Sequence, residues 1–277
     1  MNEKYCDINK AVSAENEESI DLISIVEEER VYPACGSVKE YRAACFKITT
    51  PSAVYFYDKS GGGFASIIDS EGKDWISFSN RPGSEGMFRG IPNSVHPEDV
   101  FHPGRETVKS RIASQEPLKV TILSESKDEK WSCMWEIYPD HATMTMLKMD
   151  HPYWFLYEGT PYGKLDINTG YFALADGRKI MINEYMDKNK WSNEDGASNW
   201  VAFGDTDTDR VLYLIRHGDN MTVNSYYTME ENMTVFGFGR LGIKKFIDTV
   251  PARFTIGFAK GEKFSDIKNI IDSKLSL

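Results

Sequence analysis

Apolar and polar residues alternate with a period of two along most of the chain from Tyr41 onward. The clearest case is KWSCMWEIYP, residues 130–139. There Trp131, Cys133, Trp135 and Ile137 interleave with Ser132, Met134, Glu136 and Tyr138, as in a strand with one buried face. It is preceded by LKVTILSES (118–126), and the polar KDEK between them predicts a hairpin. After the turn PDH, the segment HATMTMLKM (141–149) returns. Upstream, CFKITT (45–50) and AVYFYD (53–58) are separated by Pro51. GGGFASIID (61–69) follows, its glycines marking a turn or bulge, and EGKDWISF (71–78) reads as a further strand. Downstream, YWFLYEG, WVAFGD, VLYLIRHG, MTVFGFGR and ARFTIGFAK complete the β pattern. In the tail the period changes. Phe264, Ile267, Ile270 and Ile271 have helical spacing, with Ser265 as the expected N-cap.

More than ten strands with polar turns and almost no helix predict an all-β protein. A large antiparallel two-sheet sandwich with a short C-terminal helix fits best. No fixed-period repeat supports a propeller or β-helix. The expected organisation is an acidic N-terminal extension over 1–40, a sandwich over 41–262 and a helix over 263–277. Within the first part, NEESIDLISIVEEER fits a short helix or a first strand over residues 21–26 with charged flanks. Residues 166–199 are polar and weakly periodic, as in a long excursion from the sandwich.

Charge narrows the partners. Thirty-two basic against forty-two acidic side chains give a net charge of −10, which disfavours nucleic acid. No apolar run approaches the roughly 18 residues of a membrane span. The start MNEKYCDINK leads to no apolar stretch of a signal peptide, so a cytoplasmic location is expected. Cys6, Cys35, Cys45 and Cys133 have no metal-binding spacing and read as free thiols.

Four strings carry a resemblance: GGGFASIIDSEGKDWISF, RGIPN (89–93), DHPYWFLYEGTPYGKLD (150–166) and NMTVFGFGR (232–240). They resemble bacterial proteins associated with carbohydrate use, which look like members of the galactose mutarotase-like β-sandwich superfamily. That superfamily also includes sandwich domains of several polysaccharide lyases. The resemblance covers roughly residues 46–258. It implies a fold and a sugar or oligosaccharide as ligand. No catalytic histidine or glutamate of the mutarotases is carried over onto this chain.

The residues themselves suggest where chemistry sits. RGIPNSVHPEDVFHPGRE (89–106) holds two of the five histidines, two arginines and three prolines. Pro92, Pro97 and Pro103 forbid a helix and interrupt ladders. A stiffened loop presenting Arg89, Asn93, His96, His102 and Arg105 is expected. These groups suit proton abstraction beside a carboxylate, as in a uronic-acid lyase or epimerase. Imidazole would move the proton and guanidinium or amide would stabilise the developing charge. The alternative is a packed crossover whose polar groups satisfy main-chain carbonyls. A divalent metal at His96, Glu98, Asp99 and His102 is disfavoured because the spacing matches no known site, and no cofactor is expected. In YWFLYEGTPYG, Trp154, Tyr157 and Tyr162 suit stacking on sugar rings, and Glu158 suits a general base or an acceptor of sugar hydroxyls; ordinary aromatic core is the alternative. Alternation puts Trp154 and Glu158 on one face and Tyr153 and Tyr157 on the other. A two-carboxylate hydrolase would pair Glu158 with Asp69, Asp74 or Glu230, but no motif selects a pair. WSNEDGASNW (191–200) reads as a loop with aromatic ends, and no phosphate-cradling motif or serine elbow stands out. A non-catalytic sugar-binding protein is the alternative to a lyase or epimerase.

Overall fold

The computed structural model describes residues 22–34, 39–78, 90–94, 108–184, 199–218, 224–229, 233–239 and 247–277, and the main chain of 191–193. Seventeen strands, in three antiparallel sheets, and one α-helix lie among them. The first sheet is β1 (Ser24–Tyr32), β2 (Tyr41–Thr49), β3 (Ala53–Asp58) and β4 (Gly63–Asp69), in that order. The largest contains β5 (Val108–Glu116), β6 (Lys119–Ser126), β7 (Trp131–Ile137), β8 (His141–Met149), β10 (Gly170–Leu174), β11 (Lys179–Met181), β13 (Trp200–Asp205), β14 (Arg210–Arg216) and β17 (Ala252–Lys260). Its order is β11-β10-β13-β14-β17-β8-β7-β6-β5. The third sheet is built from β9 (Phe155–Gly159), β12 (Trp191–Asn193), β15 (Asn224–Met229) and β16 (Met233–Phe238), ordered β12-β15-β16-β9.

The short sheets form one layer. Residues 90–93 run between β4 and β9 and hydrogen-bond to both. Phe64 N donates to the Ile91 carbonyl at 2.7 Å, and Ile91 N to the Phe64 carbonyl at 3.1 Å. On the other side Leu156 N donates to the Pro92 carbonyl at 2.7 Å and Glu158 N to the Gly90 carbonyl at 3.0 Å. Pro92 has no N–H to give, and here none is needed. Gly63 makes the seam possible: a Cβ there would lie 2.4 Å from the Ile91 carbonyl oxygen. Residues 90–93 of the RGIPN stretch are therefore bound into the sheet, and Arg89 and the continuation from 95 onward lie outside the described residues.

This stitched layer packs on the nine-stranded sheet. Phe64 meets Trp135 edge-on at 4.6 Å, Phe155 stacks on Phe254 at 4.1 Å and Phe172 tilts against Tyr226 at 4.5 Å. The alternation in β7 is as the sequence predicts, with Trp131, Cys133, Trp135 and Ile137 buried. The result is the expected all-β sandwich. Cys45 and Cys133 are free and buried, and burial pushes both thiols up to about 12. Among the described residues no helix is long and apolar enough to cross a membrane.

Four expectations are corrected. EGKDWISF is not a strand. Trp75 and Ile76 are adjacent and both buried, which a strand with one buried face cannot provide, and Ser77 has φ 51. Asp74 instead folds the segment, accepting the main-chain N–H groups of Ile67, Ile76 and Ser77. Residues 166–199 are not all excursion. β10 is buried along its whole length between β11 and β13, with Phe172 and Leu174 in the main core and Tyr171 and Ala173 on the opposite face. The N-terminal strand spans Ser24–Tyr32, so its acidic run lies within the strand rather than beside it. Glu28 and Glu29 pair there with Lys47 (3.4 Å) and Arg42 (2.8 Å). The helix α1 (Phe264–Ser273) takes Lys263, not Ser265, at its N-cap position, with no side-chain cap.

Candidate functional site

The third sheet has one face in the core and one turned away from it. The register separates them. Phe155, Tyr157, Phe236, Phe238 and Tyr226 share the core face. Leu156 and Glu158 on β9, Val235 and Gly237 on β16, and Ser225 and Tyr227 on β15 share the other. Two rows cross that face: Glu158, Val235 and Tyr227 in one, and Leu156, Gly237 and Ser225 in the next.

Among the described residues Glu158 is the charged group of this face, and it is only 6% exposed. The seam supplies its partner. Asn93, itself 1% exposed, donates its side-chain amide N–H to Glu158 Oε2. Asn93 has φ 30, a left-handed conformation that asparagine tolerates better than most residues. The turn is what ends the seam strand and brings the amide onto the carboxylate. A carboxylate held by a buried amide is oriented before any ligand arrives, as a base or an acceptor of hydroxyl protons requires.

No family model matches the chain, and no curated protein matches it. Solved structures do. The protein HI1317 aligns over 84% of this chain and 100% of its own, with a TM-score of 0.56 at 12% identity. A galactose mutarotase related enzyme from Lactobacillus acidophilus covers 85% of this chain and 99% of its own, with a TM-score of 0.50 at 8% identity. A putative aldose 1-epimerase from Escherichia coli covers 84% and 100%, with a TM-score of 0.50 at 7% identity. The fold is that of the galactose mutarotase-like sandwich. At these identities the likeness establishes architecture and leaves the chemistry to the residues.

The mutarotase-like sandwich brings together two of the residues singled out from the sequence, Asn93 and Glu158. Trp154 precedes β9 and, by alternation, shares the face of Leu156 and Glu158; it is half-buried. Tyr153 and Tyr157 are fully buried in the core. Tyr162 lies elsewhere. It occupies a left-handed turn (φ 56), with its ring 6.4 Å from Trp75 and the Lys73 ammonium 4.9 Å from its centre. Arg89, His96, Glu98, Asp99, His102 and Arg105 lie outside the described residues, and so does Glu230. Among the described residues no three metal-ligating side chains cluster.

Asp69 and Asp74 are committed to the fold. Asp69 accepts from Trp75 Nε1 at 2.9 Å and from the main chain of Glu71 and Lys73, and it pairs with buried Arg210 at 3.5 Å. Neither is available as a second acid facing Glu158. Two residues of the site went unnoticed in the sequence. The hydroxyls of Ser94 and Ser225 are buried without a hydrogen-bond partner among the described residues, with exposures of 1% and 0%. A serine gives no pattern signal; only the register places Ser225 beside Glu158's face.

Proposed function

We propose that the protein acts on a sugar by proton transfer, with Glu158 as the base. The single observation behind this is the buried Glu158 carboxylate, oriented by Asn93 on the non-core face of a mutarotase-like sheet. Neighbours in fold that are described as a galactose mutarotase related enzyme and a putative aldose 1-epimerase favour the epimerase form over the lyase form. In that form the carboxylate takes the proton of the anomeric hydroxyl while an acid protonates the ring oxygen. The ring C–O bond breaks to give the open aldehyde. The chain re-closes on the other face, and both protons return. Nothing is oxidised, and the step needs no cofactor. In the lyase form the same base takes the acidic C–H next to a uronic carboxylate, and the leaving oxygen departs protonated. His96 and His102 are the candidate acids, and Arg89 and Arg105 the candidate partners of a substrate carboxylate.

The test is direct. The full chain is incubated with freshly dissolved α-D-galactose and α-D-glucose under polarimetry, and with uronic-acid oligosaccharides under ultraviolet light. Accelerated mutarotation supports the epimerase form; new conjugated absorbance supports the lyase form. In either case Glu158→Gln lowers the rate by about 10²–10⁴. Turnover that survives Glu158→Gln undiminished overturns the assignment. Sugar binding without turnover supports the second reading, a carbohydrate-binding protein, for which the same oriented carboxylate accepts hydroxyl protons.

A further inference from the structure

We infer that the outer face of the nine-stranded sheet, at its β5–β8 end, carries a second binding site, which takes a sugar acid by its carboxylate. The site lies apart from Glu158 and does not depend on it.

The first support is shape. The helix α1 packs over β13, β14 and β17. Beyond it, on β5 to β8, lies a concavity of about 400 Å³, within the range of small-ligand sites. Lys109, Arg111, Leu123, Glu125, Ser132 and Leu147 are among its lining residues. Lys109, Glu125 and Ser132 stand opposite one another in register, and Arg111 stands opposite Leu123 in the next row. Their neighbours Ile122, Cys133 and Trp135 point the other way, into the core. Glu158 is on the outward face of the other layer, so at least the spacing of packed sheets, about 10 Å, separates the two sites.

The second support is charge. Lys109 and Arg111 are two residues apart on one face of an edge strand, with Cα atoms about 7 Å apart. Neither has an ion-pair partner among the described residues, although Glu125 faces Lys109 in register. On the first sheet, by contrast, Arg42 and Lys47 each meet a glutamate of β1. In a chain of net charge −10, two adjacent unmatched cations favour an anion.

The third support is an exposed leucine. Cys133 pairs with Met146 and Ser132 with Lys148, so Leu147 is the extra residue of a bulge. It is 44% exposed and borders the concavity from β8, three strands inward from the cations. Cations on an edge strand also deter pairing between sheets, but that role calls for no leucine on β8 and no bulge there. A sugar acid answers all of these side chains. Its carboxylate meets the Arg111 fork and the Lys109 ammonium, its C–H groups lie against Leu123 and Leu147, and its hydroxyls bond to Glu125 and Ser132. An anion without hydroxyls would leave Glu125 facing a like charge.

The experiment titrates the ¹⁵N-labelled full chain with trimers of D-galacturonate, D-glucuronate and D-mannuronate. Neutral maltotriose and sodium acetate at equal carboxylate are the controls. At least one uronate trimer should shift the amides of Lys109, Arg111, Glu125 and Leu147, and neither control should. Arg111→Gln and Lys109→Gln should each weaken that binding about 3- to 10-fold, and added salt should weaken it in the wild-type chain. Leu147→Ser should weaken it about 2- to 5-fold while the melting temperature holds, because the side chain is already exposed. Silence of these amides to all three trimers overturns the site. Shifts confined to Glu158 and Asn93 overturn it too and leave the proposed function standing. Acetate that shifts the same amides as the trimers, or a Leu147→Ser variant that binds as before, reduces the site to a charged edge and overturns the assignment to a sugar acid.

Discussion

Two buried polar surfaces of this molecule invite comparison: the non-core face of the third sheet, and the outer face of the nine-stranded sheet, where α1 packs. On the outer face polar groups mostly satisfy one another. His217 Nε2, Thr255 Oγ1 and Thr143 Oγ1 form a chain of 2.7 and 2.9 Å. Asp140 sits between His141 and Lys274, at 2.5 Å from each. Trp200 Nε1 donates to Asp272 at 3.0 Å, and Arg253 to the Leu277 carbonyl at 2.7 Å. Among the described residues the Tyr213 hydroxyl, over Gly257, is an exception. These bonds tie the C-terminal segment to the sheet. On the third sheet, the Ser225 hydroxyl on the face of the oriented Glu158 has no partner among the described residues. A closed network spends its hydrogen-bonding capacity on the fold; an incomplete one leaves some for a ligand.

That contrast is broken most easily at Glu158. Glu158→Gln keeps the shape and should cost about 10²–10⁴ in turnover with little change in melting temperature. On the outer face the pattern should invert. Thr255→Val leaves His217 and Thr143 without their shared partner, so stability should fall by about 1–3 kcal/mol. Turnover per folded molecule should hold. If Thr255→Val lowers turnover and leaves melting unchanged, the division between the two surfaces is wrong.

The seam connects fold and site, and Gly63 tests it. A methyl at Gly63 would meet the Ile91 carbonyl oxygen at 2.4 Å and Pro92 Cδ at 2.5 Å. Gly63→Ala should therefore displace residues 90–93, cost about 1–3 kcal/mol as overpacking does, and lower activity by moving Asn93 off Glu158. Loss of stability with activity per folded molecule intact would show that Asn93 does not orient the carboxylate.

How much of this could be read beforehand depended on which faces each strand buries. β7 and β8 have one core face and one more polar face, and their alternation was plain. β10 is buried on both sides and only five residues long, so it was lost among polar neighbours. β5 is an edge strand with one fully buried residue, Val108, and its charged residues hid it. At the site, Glu158 and Asn93 stood out as residue types. Their pairing did not, because it spans 65 positions and depends on a seam strand that local pattern cannot show.

The smallest expected effect is on pH dependence, and it belongs to the outer face. Burial lowers the His141 imidazole below its ordinary 6.5, against the opposing pull of Asp140 beside it. Burial lowers His217 likewise, and nearby Arg253 adds to the effect. Both folded-state values are depressed, so as pH falls the unfolded chain takes up protons first. Their contribution is complete above about pH 6.5 and is lost as pH falls from there through the depressed folded values. For Asp140, burial raises the carboxyl, but Lys274 and His141 together outweigh it and hold it below its ordinary 3.8. Its contribution is present above that value and is lost only in stronger acid. Melting temperature should therefore show a shallow decline from pH 7 to 5 and a second one below about 4. In the double variant His141→Gln, His217→Gln the first decline should disappear and the second remain. A melting temperature that rises between pH 7 and 5 in the wild-type chain would mean that these histidines are charged in the fold.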